Sequence, residues 1–244
     1  MDEVIERADN FLPRVDRRAN EARLDGVLVA IRAPASVAAE QYRMLYWKIE
    51  RARAQRPLKV IALTSAVSGE GKSVTAANLA LVAAAADAKR RVLLVDADLR
   101  RPRLHLLLDV EGRPGLGELL SQEATVQQVM RRPALSRLTV LPAGAPRDDA
   151  GALVASAAMK RFLEEAQAHF DEIYLDAPPV LPVADGALLA SMSDAAVLVV
   201  RAGSTARGLV WQAVESLSGA RLLGCVLNGV DSNDVPYLAH QRGA

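Results

Sequence analysis

The chain has 244 residues, 51% of them hydrophobic, with 30 lysines and arginines against 29 aspartates and glutamates and a formal net charge of +1. That apolar content at low net charge excludes disorder as the main state, and the even balance excludes a polyanion-binding surface built from bulk charge. The single cysteine, Cys225, excludes an intramolecular disulfide or a cysteine metal cage, and His105, His169 and His240 lie too far apart in sequence to suggest structural zinc.

Residues 1–26 are polar and charged, a flexible or loosely docked arm without the apolar stretch of a secretory leader. Val37–Arg53 reads as a helix with Arg43, Lys48, Arg51 and Arg53 on a solvated face. The first strand is expected at Leu58–Thr64, followed by a helix over Ser73–Ala86. That alanine-rich helix is the longest low-charge run, at about 14 residues, and a membrane span needs ~20. A soluble, cytoplasmic protein is therefore expected. Strands follow at Arg91–Val95, Leu138–Leu141, Glu172–Leu175, Ala195–Val200 and Leu222–Leu227. Helices fall between them at Gly117–Ser121, Thr125–Arg131, Gly151–Phe170, Gly186–Met192 and Arg207–Ser218. In Gly151–Phe170, Met159, Phe162, Leu163 and Ala166 form one apolar stripe. Short apolar strands alternating with helices predict an α/β domain over 27–231, doubly wound around a mostly parallel sheet, with a mobile tail over 232–244. Cys225, Trp47 and Trp211 are expected to pack inside, and His105 to lie in a loop.

The chemistry is concentrated at strand ends. Ala66-Val-Ser-Gly-Glu-Gly-Lys-Ser73 between a strand and a helix matches the P-loop pattern, with Ala at the first glycine position. Gly69 and Gly71 let successive N–H groups converge on phosphate oxygens, and the helix adds its positive end. Lys72 supplies a charge for the phosphates and Ser73 a hydroxyl for Mg²⁺. Nucleotide contacts are therefore expected along Ser68, Gly69, Glu70, Gly71, Lys72, Ser73 and Val74. The second strand ends in Asp96-Ala-Asp98-Leu-Arg100; its two carboxylates, two apart, are expected to point the same way. Buried like charges need a cation, and Mg²⁺ or nearby Arg100 and Arg101 are both suitable. Asp176 closes the fourth strand as a Walker-B carboxylate.

The segments SAVSGEGKS (65–73), VDADLRRP (95–102), LDAPPVLPVAD (175–185), VVRAGST (199–205) and LNGVD (227–231) resemble the cytoplasmic domain of bacterial tyrosine kinases, autokinases of capsule and exopolysaccharide synthesis within the MinD/ParA-type P-loop class. Val67 stands where MinD and ParA relatives carry an extra lysine, which favours the kinase branch. The resemblance implies ATP and Mg²⁺ as cofactors, with Lys72, Asp96, Asp98 and Arg100 catalytic and Ser73, Asp98 and Asp176 around the metal. Asp96 would assist deprotonation of the acceptor tyrosine, and Asn228 would contact adenine. It further implies a separate transmembrane activator of the chain-length-regulator type, recruitment to the inner membrane face, and self-association into a ring. Neither nucleic acid nor direct membrane insertion is implied. The family's ring motif Glu-x-x-Arg-x-x-Arg appears as Glu40, Arg43 and Tyr46, Asp149-Ala150 replaces its usual Asn-Pro, and the tail holds one tyrosine, Tyr237, as the expected acceptor in trans. The alternative is an ATP-binding regulatory ATPase of the same pathway without kinase activity.

Overall fold

The computed structural model describes residues 25–133 and 136–230; the arm before residue 25 and the tail with Tyr237 lie outside them. In chain order the elements are α1 (Val29–Arg32), α2 (Val37–Gln55), β1 (Val60–Ser65), α3 (Lys72–Ala86), β2 (Val92–Asp96), α4 (Leu104–Leu107), α5 (Leu116–Leu120) and α6 (Val126–Val129). They continue with β3 (Thr139–Leu141), α7 (Ala150–Ala155), α8 (Ala157–His169), β4 (Glu172–Asp176), α9 (Asp185–Met192), β5 (Ala195–Arg201), α10 (Arg207–Ser216) and β6 (Leu222–Asn228).

The six strands form one sheet in the order β3-β2-β4-β1-β5-β6, every pairing parallel. From β1 the chain crosses to β2 and β3 on one side, then returns through β4 to β5 and β6 on the other. Such a reversal opens a crevice beyond the carboxyl ends of the central strands. Helices α1 to α4 cover one face and α5 to α10 the other, each over its own apolar cluster. Every residue of β1, β2 and β4 is therefore buried, as the apolar runs imply. Helix α3 lies against the sheet beneath α1 and α2. Its Asn78 is fully buried and ties α1 down, donating to the Val27 carbonyl at 3.0 Å and accepting from the Ala30 N–H at 2.9 Å.

Four expectations are corrected. The helix expected over Gly151–Phe170 is two, because the Ser156 side chain accepts the Met159 N–H and starts a new helix at Ala157. Cys225 is exposed, since β6 is an edge strand with no fully buried position. Trp47 and Trp211 are 65% and 73% exposed, on the outer faces of α2 and α10. His105 belongs to the short helix α4.

Candidate functional site

Strand β1 delivers the chain into the P-loop at the crevice. Gly69 and Gly71 both have φ of +90°, which L side chains rarely adopt. At Gly71 space is a second constraint, for a Cβ would lie 2.0 Å from Asn228 Nδ2. Gly71 also caps α3 without a side-chain acceptor, so the first N–H groups of this 15-residue helix have no capping oxygen and face the crevice. Ser68 is exposed, and Val74 packs against the apolar cluster beneath. Glu70 turns inward at 2% exposure: its carboxylate accepts the Val67 N–H at 3.1 Å and the Thr205 hydroxyl, while its carbonyl accepts Asn228 Nδ2 at 2.9 Å. The Glu70 side chain and Asn228 therefore shape the loop from behind, and any ligand contact at position 70 comes from its backbone.

The Lys72 ammonium lies 3.0 Å from Asp98 Oδ2 and 3.3 Å from Asp176 Oδ1. Burial opposes its charge, but the two carboxylates outweigh that and raise its pKa. Asp96 and Asp176 are register partners at the ends of neighbouring strands, both fully buried. Burial and then the Asp176 charge push the Asp96 carboxyl up to about 7. Asp176 is also raised, chiefly by burial, with Lys72 and the Ser73 hydroxyl acting in the opposite direction. Among the described residues its Oδ2 is buried with no hydrogen-bond partner.

Asp96 and Asp98 do not act as a parallel pair, because β2 ends at Asp96 and strand alternation stops there. Asp98 faces Lys72, whereas Asp96 Oδ2 accepts the N–H groups of Arg103 and Leu104 at 2.9 and 3.0 Å, at the start of α4. Among the described residues Asp96 Oδ1 is engaged only by the Asp98 N–H at 3.3 Å. Arg100 turns from Lys72 to Asp185, its Nε donating at 2.9 Å to Oδ2. Sequence reasoning passed over Asp185, Thr205 and the inward role of Glu70. Asp185 and Thr205 close the quoted LDAPPVLPVAD and VVRAGST segments and were open to notice; the inward role of Glu70 depends on contacts 131 to 135 residues apart.

Among the described residues no three His, Cys, Asp or Glu side chains group as a metal cage. Magnesium does not need one, since it is usually held by one or two carboxylates plus phosphates and water. The unpartnered Asp176 Oδ2, with Asp98 and Ser73 beside it, fits such a cation.

A family model described as an AAA domain matches residues 58–217. The tyrosine-protein kinase YwqD of Bacillus subtilis (strain 168) is 37% identical over 87% of this chain and 90% of its own length. The succinoglycan biosynthesis transport protein ExoP of Rhizobium meliloti (strain 1021) is 34% identical over 88% of this chain, which spans 28% of ExoP. Among solved structures, the kinase domain of the Escherichia coli tyrosine kinase ETK superposes with a TM-score of 0.80 at 30% identity, covering 83% of this chain and 80% of that one. A Mycobacterium smegmatis cobyrinic acid a,c-diamide synthase with bound ADP and magnesium shares the fold at a TM-score of 0.59 and 25% identity, covering 75% of this chain and 81% of that one.

Proposed function

The chain belongs to the bacterial tyrosine kinases, P-loop proteins of the MinD/ParA type, and from that premise we propose that its Lys72–Asp98–Asp176 centre moves the γ-phosphoryl group of ATP onto protein tyrosine. It is a tyrosine-protein kinase of the exopolysaccharide-biosynthesis group. The observation that carries the site assignment is the buried, unpartnered Asp176 Oδ2 beside a shared lysine. A carboxylate oxygen left dry without a donor is costly, and a cation removes that cost.

Ser73, Asp98 and Asp176 would hold Mg²⁺, which when bound neutralises charge on the β- and γ-phosphate oxygens. Lys72 would exchange its carboxylate partners for phosphate oxygens, and the free N–H groups of α3 would bind them from below. Asp96 is the group suited to take the acceptor proton. Its carboxyl, pushed up to about 7, matches a base working near neutral pH, and Oδ1 is the less engaged oxygen. Asp96 also positions the loop, through the two N–H groups on Oδ2. Arg100 acts through Asp185.

Tyr174 is fully buried and donates to Glu172 at 2.6 Å, and Tyr46 is 3% exposed, so neither is an accessible acceptor. Tyr42 is half-buried on α2 beside Thr75 and Asn78, so in this reading transfer goes to Tyr237 of a second molecule. Tyr46, at the third ring-motif position, hydrogen-bonds Glu172 inside the domain, which leaves the exposed, mutually paired Glu40 and Arg43 to make a ring contact. No helix among the described residues is long and apolar enough to cross a membrane. A separate transmembrane activator would bring the kinase to the inner membrane face.

Incubation with γ-labelled ATP and Mg²⁺, with and without the activator's cytoplasmic segment, followed by phosphosite mapping, tests this reading. Label on Tyr237 is expected. ATP hydrolysis without label on any tyrosine would make the protein a regulatory ATPase instead.

A further inference from the structure

A cleft of about 510 Å³ lies beside the reacting centre, walled by the Arg100–Arg103 turn on one side and by His105 and Arg113 on the other. The turn grows directly out of the site: the Arg101 N–H bonds Asp98 Oδ1 at 3.0 Å and the Arg103 N–H bonds Asp96 Oδ2 at 2.9 Å. The backbone that carries its charges is thus fixed to the two carboxylates before any substrate arrives.

Their side chains are short of partners. Arg43, Arg53, Arg90, Arg91, Arg131 and Arg147 each meet a carboxylate within salt-bridge distance. Among the described residues, no carboxylate makes such a bridge to Arg101, Arg103 or Arg113, all three exposed. Arg113 feels the field of Glu118, but that carboxylate is committed to the N–H groups of Gly115 and Ala145 at 2.8 and 3.0 Å. In a chain of net charge +1, three uncompensated guanidinium groups on one cleft repel one another and favour an anion of several carboxylates.

The sequence contains a matching partner. Tyr237 is preceded by Asp234 and Asp231, three and six residues earlier, with no basic residue between. Three and six extended residues span about 10 and 20 Å, so a tyrosine at Asp96 and Asp98 can place its preceding aspartates over a cleft whose wall begins at Arg100, two residues on.

We propose that the arginine cleft is a specificity site for acidic residues on the N-terminal side of the acceptor tyrosine, with Asp231 and Asp234 of a second copy as its ligand. The proposal rests on the kinase reading for its purpose, but binding can be measured apart from transfer. The test uses the full chain and a variant carrying Arg101→Gln, Arg103→Gln and Arg113→Gln, with folding checked by thermal denaturation. Each is titrated with a fluorescent peptide of residues 231–244 and with the same peptide carrying Asp231→Asn and Asp234→Asn. Fluorescence anisotropy gives Kd, and labelled ATP gives KM and kcat for each peptide.

Either set of changes is expected to weaken native-peptide binding about tenfold or more, the second adding little once the first is made. High salt should erase the difference. KM for the peptide should rise with kcat and ATP affinity unchanged. Equal binding of the two peptides overturns the proposal. So does a variant that loses ATP affinity instead of peptide affinity, or arginines that bind anionic vesicles while ignoring both peptides. If the wild-type chain discriminates between the peptides yet phosphorylates neither, the cleft assignment stands and the kinase reading falls.

Discussion

Strand β4 buries a carboxylate at each end, Glu172 at 1% exposure and Asp176 at 0%. Glu172 is surrounded by partners: Arg53, Arg90 at 2.7 Å, the Tyr46 hydroxyl at 3.2 Å and the Tyr174 hydroxyl at 2.6 Å. Burial alone would raise its pKa, but Arg53 and the other donors hold it below the usual carboxylate range. Asp176, four residues on, shares one lysine with Asp98, keeps an oxygen without a donor and has its pKa raised. The first end is closed within the fold, whereas the second has capacity for a ligand. A buried charge with every partner supplied by the chain is architecture, and one short of partners marks where chemistry happens.

The sharpest break of this contrast is at the ligand end. Lys72→Met should fold yet lose phosphotransfer by on the order of 10³-fold or more, together with γ-phosphate-dependent binding in calorimetry. Asp96→Asn should lower transfer by on the order of 10²–10⁴-fold with ATP affinity nearly unchanged. Undiminished ATP–Mg²⁺ binding by Lys72→Met would remove the P-loop assignment.

Exchanging the perturbation between the ends should exchange the symptom. Glu172→Ala leaves Arg53 and Arg90 with Glu50 alone and takes the acceptor from the buried Tyr46 and Tyr174 hydroxyls, and should cost about 1–3 kcal/mol in urea denaturation without changing ATP affinity. Asp176→Asn should weaken the Mg²⁺ dependence of transfer while leaving metal-free stability level or higher. Matching stability losses in the two variants would erase the distinction.

A subtler test uses pH. Because the folded-state pKa of Glu172 lies below its unfolded value of about 4.3, its stabilisation is present above that value and is lost as pH falls through the folded pKa. The stability gap between wild type and Glu172→Gln should be full at pH 7 and shrink by pH 3. A gap independent of pH would show that charge is not what holds this end together. The smallest effect concerns the helix boundary outside the contrast: Ser156→Ala should cost about 1 kcal/mol by removing the cap of α8, read as a lower Tm.

The proposed ligand end was largely legible in the sequence, because the chemistry assigned to it needs particular residues at short spacings. Gly69, Gly71, Lys72 and Ser73 fall within five positions, and Asp176 closes an apolar strand. The architectural end was opaque, for Tyr46, Arg53, Arg90 and Glu172 come together from across 126 residues with no motif to announce them. Exposure misled at Cys225 for a related reason. An apolar strand is buried on both faces only if helices cover both, and sheet order places β6 at the edge. The divergence of Asp96 from Asp98 was hidden because β2 stops between them, so the alternation that pairs their directions no longer applies.

Glu70 bears on the timing of ligand capture. Its carboxylate closes the P-loop on the Val67 N–H and reaches Thr205, and its carbonyl holds Asn228, bracing a glycine-containing loop against the chain after β5 and the end of β6. The conformational freedom of that loop is thus surrendered during folding, and little remains to be lost when a phosphate chain arrives. An ordered cradle of this kind needs no loop closure to take its ligand, and the rearrangement that remains is the exchange of the Lys72 carboxylates for phosphate oxygens.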